Sequence, residues 1–197
     1  MKITSPFVLA SQSPRRRRLM ERLGVDFTVC VSPADEVIPP RAVPREIVQT
    51  LAAEKATPIA QADPDTLVLA ADTVVALGGE ILGKPRSADE ASSTLRLLSG
   101  TTHTVFTGIA LHHHRSGRAV TAVEATKVTF GTLTDDEIAA YVATGSPMDK
   151  AGSYGIQDDL GALFVERIDG DYYNVVGLPL RRLYLTLRGY FSDFVGL

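Results

Sequence analysis

Cysteine is nearly absent from this chain: Cys30 stands alone among 197 residues. A disulfide framework within the chain is thereby excluded, and a reducing compartment fits. Basic charge is not in excess either, since 20 Lys and Arg face 23 Asp and Glu for a net charge of −3. That balance argues against broad binding to nucleic acid or to an anionic membrane surface, so any basic site has to be local. No apolar run approaches the roughly 20 residues of a membrane span. The stretch Phe7 to Ala10 is also too short for the apolar core of a secretory signal. Internal repeats, low-complexity segments and linkers are missing as well. The expectation is one cytoplasmic α/β domain over residues 1–197, with 45% apolar residues to fill its core.

What is present alternates between strand and helix patterns. Phe7 to Ala10 reads as a short strand and Pro14 to Leu23 as a helix stopped by Gly24. Phe27 to Val31 alternates like a second strand, and Ser32 to Pro44 reads as a loop. Arg45 to Gln61 is helical, with Pro58 expected to break or kink it late. Thr66 to Leu77 is almost continuously apolar, as in a central strand buried on both faces, and Gly78-Gly79 turns it into a hairpin with Glu80 to Leu82. A helix over Ala88 to Leu98 precedes two long strands, His103 to His114 and Ala119 to Phe130. Thr134 with Glu137 forms a capping-box pattern for a helix ending at Gly145. A Gly- and Asp-rich loop from Met148 to Gly161, a strand from Ala162 to Ile168 and a helix from Leu180 to Tyr190 complete the chain. Crossover and hairpin links occur together, so the predicted sheet is mixed, in one compact domain around a cleft.

Three segments carry chemistry. In Leu9-Ala-Ser-Gln-Ser-Pro-Arg-Arg-Arg-Arg18, Ser13 reads as an N-cap and Pro14 as the first helical residue. Arginine meets the helix dipole with the wrong sign at that end. Arg15 and Arg16 there make sense if an external anion is expected, such as a polyphosphate held by backbone N–H groups, Ser11, Ser13 and an arginine fork. The plainer alternative is a solvated basic helix start. In Leu67-Val-Leu-Ala-Ala-Asp-Thr-Val-Val75, Asp72 is a carboxylate inside an apolar strand, costly unless paired, protonated or bound to metal. It would hold Mg²⁺ or take a proton from an attacking water, or else accept bonds from a neighbouring loop. In Asp149-Lys-Ala-Gly-Ser-Tyr-Gly-Ile-Gln157, charges, glycines, a ring and an amide share one loop, either the kind of segment that carries function on a scaffold or a structured turn whose glycines merely permit unusual backbone angles.

Two apparent motifs are set aside. Gly78-Gly-Glu-Ile-Leu-Gly-Lys-Pro85 follows the P-loop spacing as far as Lys84, but Pro85 stands where a Mg²⁺-binding hydroxyl is needed. Lys84 is kept as a phosphate cation on a rigid turn, beside its plainer reading as a surface lysine. His112-His-His114 has no nearby Cys or acidic residue to complete a zinc set and reads as a solvated hairpin tip.

The segments quoted, together with Gly83-Lys-Pro85, Leu98-Ser-Gly100, His103 and Asn174-Val-Val-Gly-Leu-Pro179, resemble the Maf family of nucleoside triphosphate pyrophosphatases in their order along nearly the whole chain. The resemblance implies an elongated twisted mixed β-sheet flanked by helices, as in inosine triphosphate pyrophosphatases, with a cleft between two lobes. It also implies hydrolysis between the α- and β-phosphates with a divalent metal, Mg²⁺ or Mn²⁺. In that family the aspartate matching Asp72 is the proton acceptor, and the positions matching Arg15, Thr73 and Gln157 go with substrate choice. The form of the late loop is similar to the branch preferring dTTP and UTP, where Gln157 could read a pyrimidine imide edge. Gln12 departs mildly from the Gly or Ala common at its position.

The residues agree with that chemistry. Arg15, Lys55 and Lys84 would neutralise the triphosphate, and Lys150 would join Ser11, Ser13, Thr73 and Gln157 in binding it. Mg²⁺ favours oxygen ligands, for which Asp72 comes first and Glu36 second. The expected partners are a nucleoside triphosphate and, by family habit, a second copy of the chain, with neither nucleic acid nor membrane. A non-catalytic nucleotide sensor linked to cell-division arrest is the rival reading.

Overall fold

The strands Phe7–Ala10 and Thr28–Val29 are each followed by a helix that carries the chain back across the sheet, so they and Leu67–Leu77 run in the same direction. The structure is a computed structural model that describes residues 2–35, 37–158 and 160–196. After β1 (Lys2–Ile3) come β2 (Phe7–Ala10), α1 (Pro14–Arg22), β3 (Thr28–Val29), α2 (Pro44–Ala62) and β4 (Leu67–Leu77). Then follow β5 (Glu80–Leu82), α3 (Ala88–Leu98), β6 (Thr102–His113), β7 (Arg118–Phe130) and α4 (Asp135–Ala143). The chain ends with β8 (Val165–Asp169), α5 (Tyr172–Val176), α6 (Leu180–Tyr190) and β9 (Val195–Gly196), the last paired with β1. The main sheet runs β3-β2-β4-β6-β7-β8. Strand β2 is parallel to β3 and β4, and the pairs from β4 onward are antiparallel, so the sheet is mixed as expected.

Strand β4 organises the molecule. One edge pairs with β6 from Val68 to Ala76. The opposite edge pairs with β2 only from Leu67 to Ala70, and with β5 only from Val75 to Leu77. Among the described residues, Ala71 to Val74 therefore have no strand beside them on that edge. The β4–β5 hairpin turns on Gly78 and Gly79, both at positive φ (59° and 91°), the geometry that matches the twist of its strands.

The two faces of β4 are packed differently. On one, α2 lies close because the contacts are small: Ala52, Ala56 and Ala60 meet Val68, Ala70 and Ala110. Farther along, Ile47, Val48 and Leu51 meet Val74. The approach is closest at Gly108, the partner of Asp72 across the β4–β6 ladder, where a Cβ would stand 2.2 Å from the Val48 carbonyl oxygen. The other face carries the main core, in which Leu69, Ala71 and Ile109 of the sheet join Met20, Leu98, Tyr141 and Leu187 from four helices. No helix among the described residues is long and apolar enough to cross a membrane.

Several sequence expectations need correction. The helix expected over Arg45 to Gln61 forms as Pro44–Ala62, and Pro58 does not break it, since Ala56 and Ala60 stay buried against the sheet despite the one lost backbone bond. The strand expected from Ala162 begins only at Val165, because Gly161–Phe164 form a 3₁₀ turn that sets Phe164 edge-on to Phe130 and Tyr141. The strand expected over Phe27 to Val31 shrinks to Thr28–Val29, pairing on β2 alone. His113 is buried rather than solvated. Its Nε2 lies 3.2 Å from the Asp65 carbonyl and its ring meets Phe194, because the C-terminal segment folds over the hairpin end. The short helix α5, capped by Asp171 through the N–H groups of Tyr173 and Asn174, was not anticipated.

Candidate active site

The gap beside Ala71 to Val74 opens into a cavity of about 480 Å³. Its walls come from the start of α1, the early loop near Ser32, Lys55 of α2, the turn at Gly83 and Lys84, and the loop from Asp149 to Gln157. The sequence-predicted residues Ser11, Ser13, Arg15, Lys55, Asp72, Thr73, Lys84, Lys150 and Gln157 all line it. Glu36, the second expected metal ligand, lies outside the described residues.

The start of α1 forms as its sequence dictates. Pro14 occupies the first turn and the Ser13 hydroxyl accepts the Arg16 backbone N–H at 3.5 Å. The Ser11 hydroxyl accepts the Ser13 N–H at 3.2 Å and Arg16 Nη1 at 3.3 Å. Arg16 is the residue that sequence reasoning left behind Arg15. Its Nη2 donates to Thr73 Oγ1 (3.0 Å) and its Nε to the Gly177 carbonyl (2.8 Å), while Thr73 pairs with Thr107, which donates to the Asn174 carbonyl. The clue was helical periodicity. Positions three and four beyond Arg16 are Leu19 and Met20, both buried, so Arg16 shares their inward face, whereas Arg17 and Arg18 are exposed.

Arg15 crosses the cavity instead. Its Nη1 donates to Asp149 Oδ2 at 2.6 Å and its Nη2 to the Asp149 carbonyl at 3.3 Å, tying α1 to the late loop. Partial burial pushes the Asp149 carboxyl up, but contacts with Lys150 and Arg15 outweigh it and hold the group below the usual carboxylate range.

Behind these groups Asp72 and Lys55 form a buried ion pair through Asp72 Oδ1, which answers how an apolar strand tolerates a carboxylate. The close approach of α2 over Gly108 is what brings Lys55 down to the strand. Lys84 sits exposed on the rim, one residue beyond Gly83.

The late loop is held by polar contacts. Lys150 Nζ donates to the Ser146 carbonyl and to Asp149 Oδ1 (2.8 Å), so this cation, expected to bind substrate, also braces its own loop. Tyr154 closes one wall, with its hydroxyl 2.8 Å from His103 Nε2 and its ring edge-on to Phe130. Burial drives the His103 imidazole down to about 4, so it stays neutral near pH 7, and its Nδ1 is buried without a partner among the described residues. Neither His103 nor Phe130 was singled out for this supporting task.

For a divalent cation the donor set is sparse. Among the described residues no three His, Cys, Asp or Glu side chains gather around a common point. A single carboxylate such as Asp72 fits an oxygen-loving ion that arrives with phosphates and waters supplying most of its ligands, the usual habit of Mg²⁺.

The pattern of the Maf-like protein family matches residues 6–190. A dTTP/UTP pyrophosphatase of Salinibacter ruber is 58% identical over 195 residues, which span 99% of this chain and 96% of its own length. A dTTP/UTP pyrophosphatase of Bacillus cytotoxicus is 50% identical over 186 residues, spanning 94% of this chain and 96% of its own. Among solved structures, the Ham1 protein of Staphylococcus aureus overlaps 64% of this chain and 71% of its own at 14% identity, with a TM-score of 0.46. Matched by its pattern and by relatives from one end to the other, this chain belongs to the Maf-like protein family.

Proposed function

We propose that this chain hydrolyses nucleoside triphosphates between the α- and β-phosphates, with dTTP and UTP as its substrates and a nucleoside monophosphate and pyrophosphate as products. The observation that carries the reading is that the Arg16-bearing start of α1 and the buried Asp72–Lys55 pair face the same cavity. Its relatives from Salinibacter ruber and Bacillus cytotoxicus carry the name dTTP/UTP pyrophosphatase, which supports the same substrate class.

In this reading the triphosphate lies along the start of α1, where orphan backbone N–H groups, the serine hydroxyls and Arg16 meet its charge. Lys55 engages Asp72 Oδ1, and we assign Oδ2 as the atom that takes a proton from the attacking water. As the water oxygen bonds to the α-phosphorus, the bond to the bridging oxygen breaks and its electron pair leaves with pyrophosphate. Lys84 and Arg15 are the cations assigned to that leaving group. A divalent cation bound at Asp72 and the phosphates would offset charge on the reacting phosphoryl group. Gln157 reads the base.

The test is a coupled pyrophosphate assay over a panel of nucleotides, with and without Mg²⁺ or Mn²⁺. Pyrophosphate from UTP and dTTP is expected, and Asp72→Asn should keep nucleotide binding while losing about 100-fold or more of turnover, the usual worth of a positioned general base. Orthophosphate release, or an Asp72→Asn variant turning over UTP as the parent does, refutes the assignment.

A further inference from the structure

We propose that Asp158 is a positioning residue: it fixes which way round the Gln157 amide faces the nucleotide base, and thereby selects uracil and thymine against cytosine. This rests on the reading that Gln157 meets the base. Gln157 Nε2 donates to Asp158 Oδ1 at 2.8 Å. The carboxylate is itself pinned through Oδ2, which accepts from the Tyr141 hydroxyl (2.8 Å) and the Ser146 hydroxyl (2.6 Å) and lies 3.3 Å from Lys150 Nζ. Burial alone would raise this carboxyl, but those hydroxyls and the ammonium more than offset it, so Asp158 is ionised near pH 7. An ionised carboxylate only accepts hydrogen bonds. Turning the amide over would set its carbonyl oxygen against Oδ1, so the NH₂ is held on the Asp158 side.

The consequence follows from the pattern of the base edges. An amide presents a carbonyl acceptor and an N–H donor side by side. Uracil and thymine answer with O4 as acceptor and N3–H as donor. Cytosine reverses both, with an N4 donor and an N3 acceptor, as a half-turn of the amide would require. A freely turning glutamine reads either base, whereas a pinned one reads a single class. The backbone is shaped around this contact. A Cβ on Gly155 would stand 2.5 Å from Asp158 Oδ2 and 2.6 Å from Gln157 Nε2, so the loop passes directly beneath the pair.

The experiment compares kcat/KM for UTP and CTP in the full-length protein, its Asp158→Asn and Asp158→Ser variants, Gln157→Ala, and the doubles. Thermal melts check folding, and the serine variant decides if the asparagine variant fails to fold. Both replacements can donate as well as accept, so the amide is released. The UTP-to-CTP ratio is expected to fall about ten-fold, the scale of one charge-assisted hydrogen bond, chiefly through a lower KM for CTP. In the Gln157→Ala background the same replacement should leave the ratio unchanged. A loss of loop structure alone lowers both nucleotides alike, so a ratio held within about two-fold of the parent overturns the proposal. So does an equal fall with and without Gln157. A parent protein releasing no pyrophosphate from UTP overturns the activity itself and this inference with it, whereas normal UTP turnover with an unmoved ratio removes Asp158 alone.

Discussion

Replacing Gly108 with alanine adds one methyl group where the helix above leaves no room for it. The new Cβ would lie 2.2 Å from the Val48 carbonyl oxygen, 2.4 Å from its carbon and 2.8 Å from the Gln49 nitrogen, all backbone atoms that no rotamer change can move. Carbon and oxygen normally stay at least about 3.3 Å apart, so α2 must retreat by roughly 1 Å. Overpacking of this kind costs about 1–3 kcal/mol and sometimes more. Here the upper end applies, because retreat also loosens Val48 and Ala52, both fully buried. At about 2–4 °C per kcal/mol for a chain of this size, the melting temperature should drop by about 6–12 °C. Activity should suffer further. Lys55 stands two turns beyond Val48 on the same helix, and a 1 Å withdrawal from Asp72 is of the size that costs about 100-fold in turnover. Scanning calorimetry and the pyrophosphate assay at a temperature where both proteins are folded read the two effects. Gly189→Ala is the control: nothing lies within 4 Å of its would-be Cβ in α6, so a gain of about 0.5–1 kcal/mol is expected there. If Gly108→Ala melts with the parent, the close seating of α2 on β6 is wrong.

Two further predictions follow from buried polar groups. Lys55→Met strips Asp72 of its buried counter-charge and should cost about 3–5 kcal/mol by urea denaturation, while Lys55→Met combined with Asp72→Leu regains most of that stability without regaining turnover. A pair of variants equally unstable would contradict this account of the ion pair. His103 sets an acid limit. Its imidazole charges at about 6.5 in the unfolded chain and at about 4 in the folded protein, so its contribution is complete above pH 6.5 and is lost as pH falls to about 4. That gap corresponds to about 3 kcal/mol, and His103→Gln should flatten the loss over this window in pH-dependent melts.

How much was legible depends on how local each cause was. Helices α3 and α6 have the bounds expected of them, Ala88–Leu98 and Leu180–Tyr190, and the Thr134–Glu137 capping box forms as read. Asp72 stood out because a carboxylate in an apolar strand demands a partner, although nothing in the sequence picked Lys55 over other cations. The misses share a tertiary origin. Periodicity turns Arg16 inward beside Leu19 and Met20, but the groups that Arg16 and Arg15 each meet depend on the placement of Thr73, Gly177 and Asp149 by the fold. Ala162 to Phe164 has strand composition but turns over Tyr141, a ring from another element. Asp158 was one acid of the Gly- and Asp-rich loop from Met148 to Gly161, and only its contacts with Gln157, Tyr141, Ser146 and Lys150 set it apart.

The interruption along β4 has a broader consequence. Because the opening exists where β2 has already ended and β5 has not yet begun, its length along β4 follows from where backbone ladders stop and not from the side chains bordering it. Border residues can then be exchanged to suit another nucleobase while the hydrogen-bonded frame keeps its form. Such a scaffold lets selectivity drift over evolutionary time without asking the fold to be rebuilt.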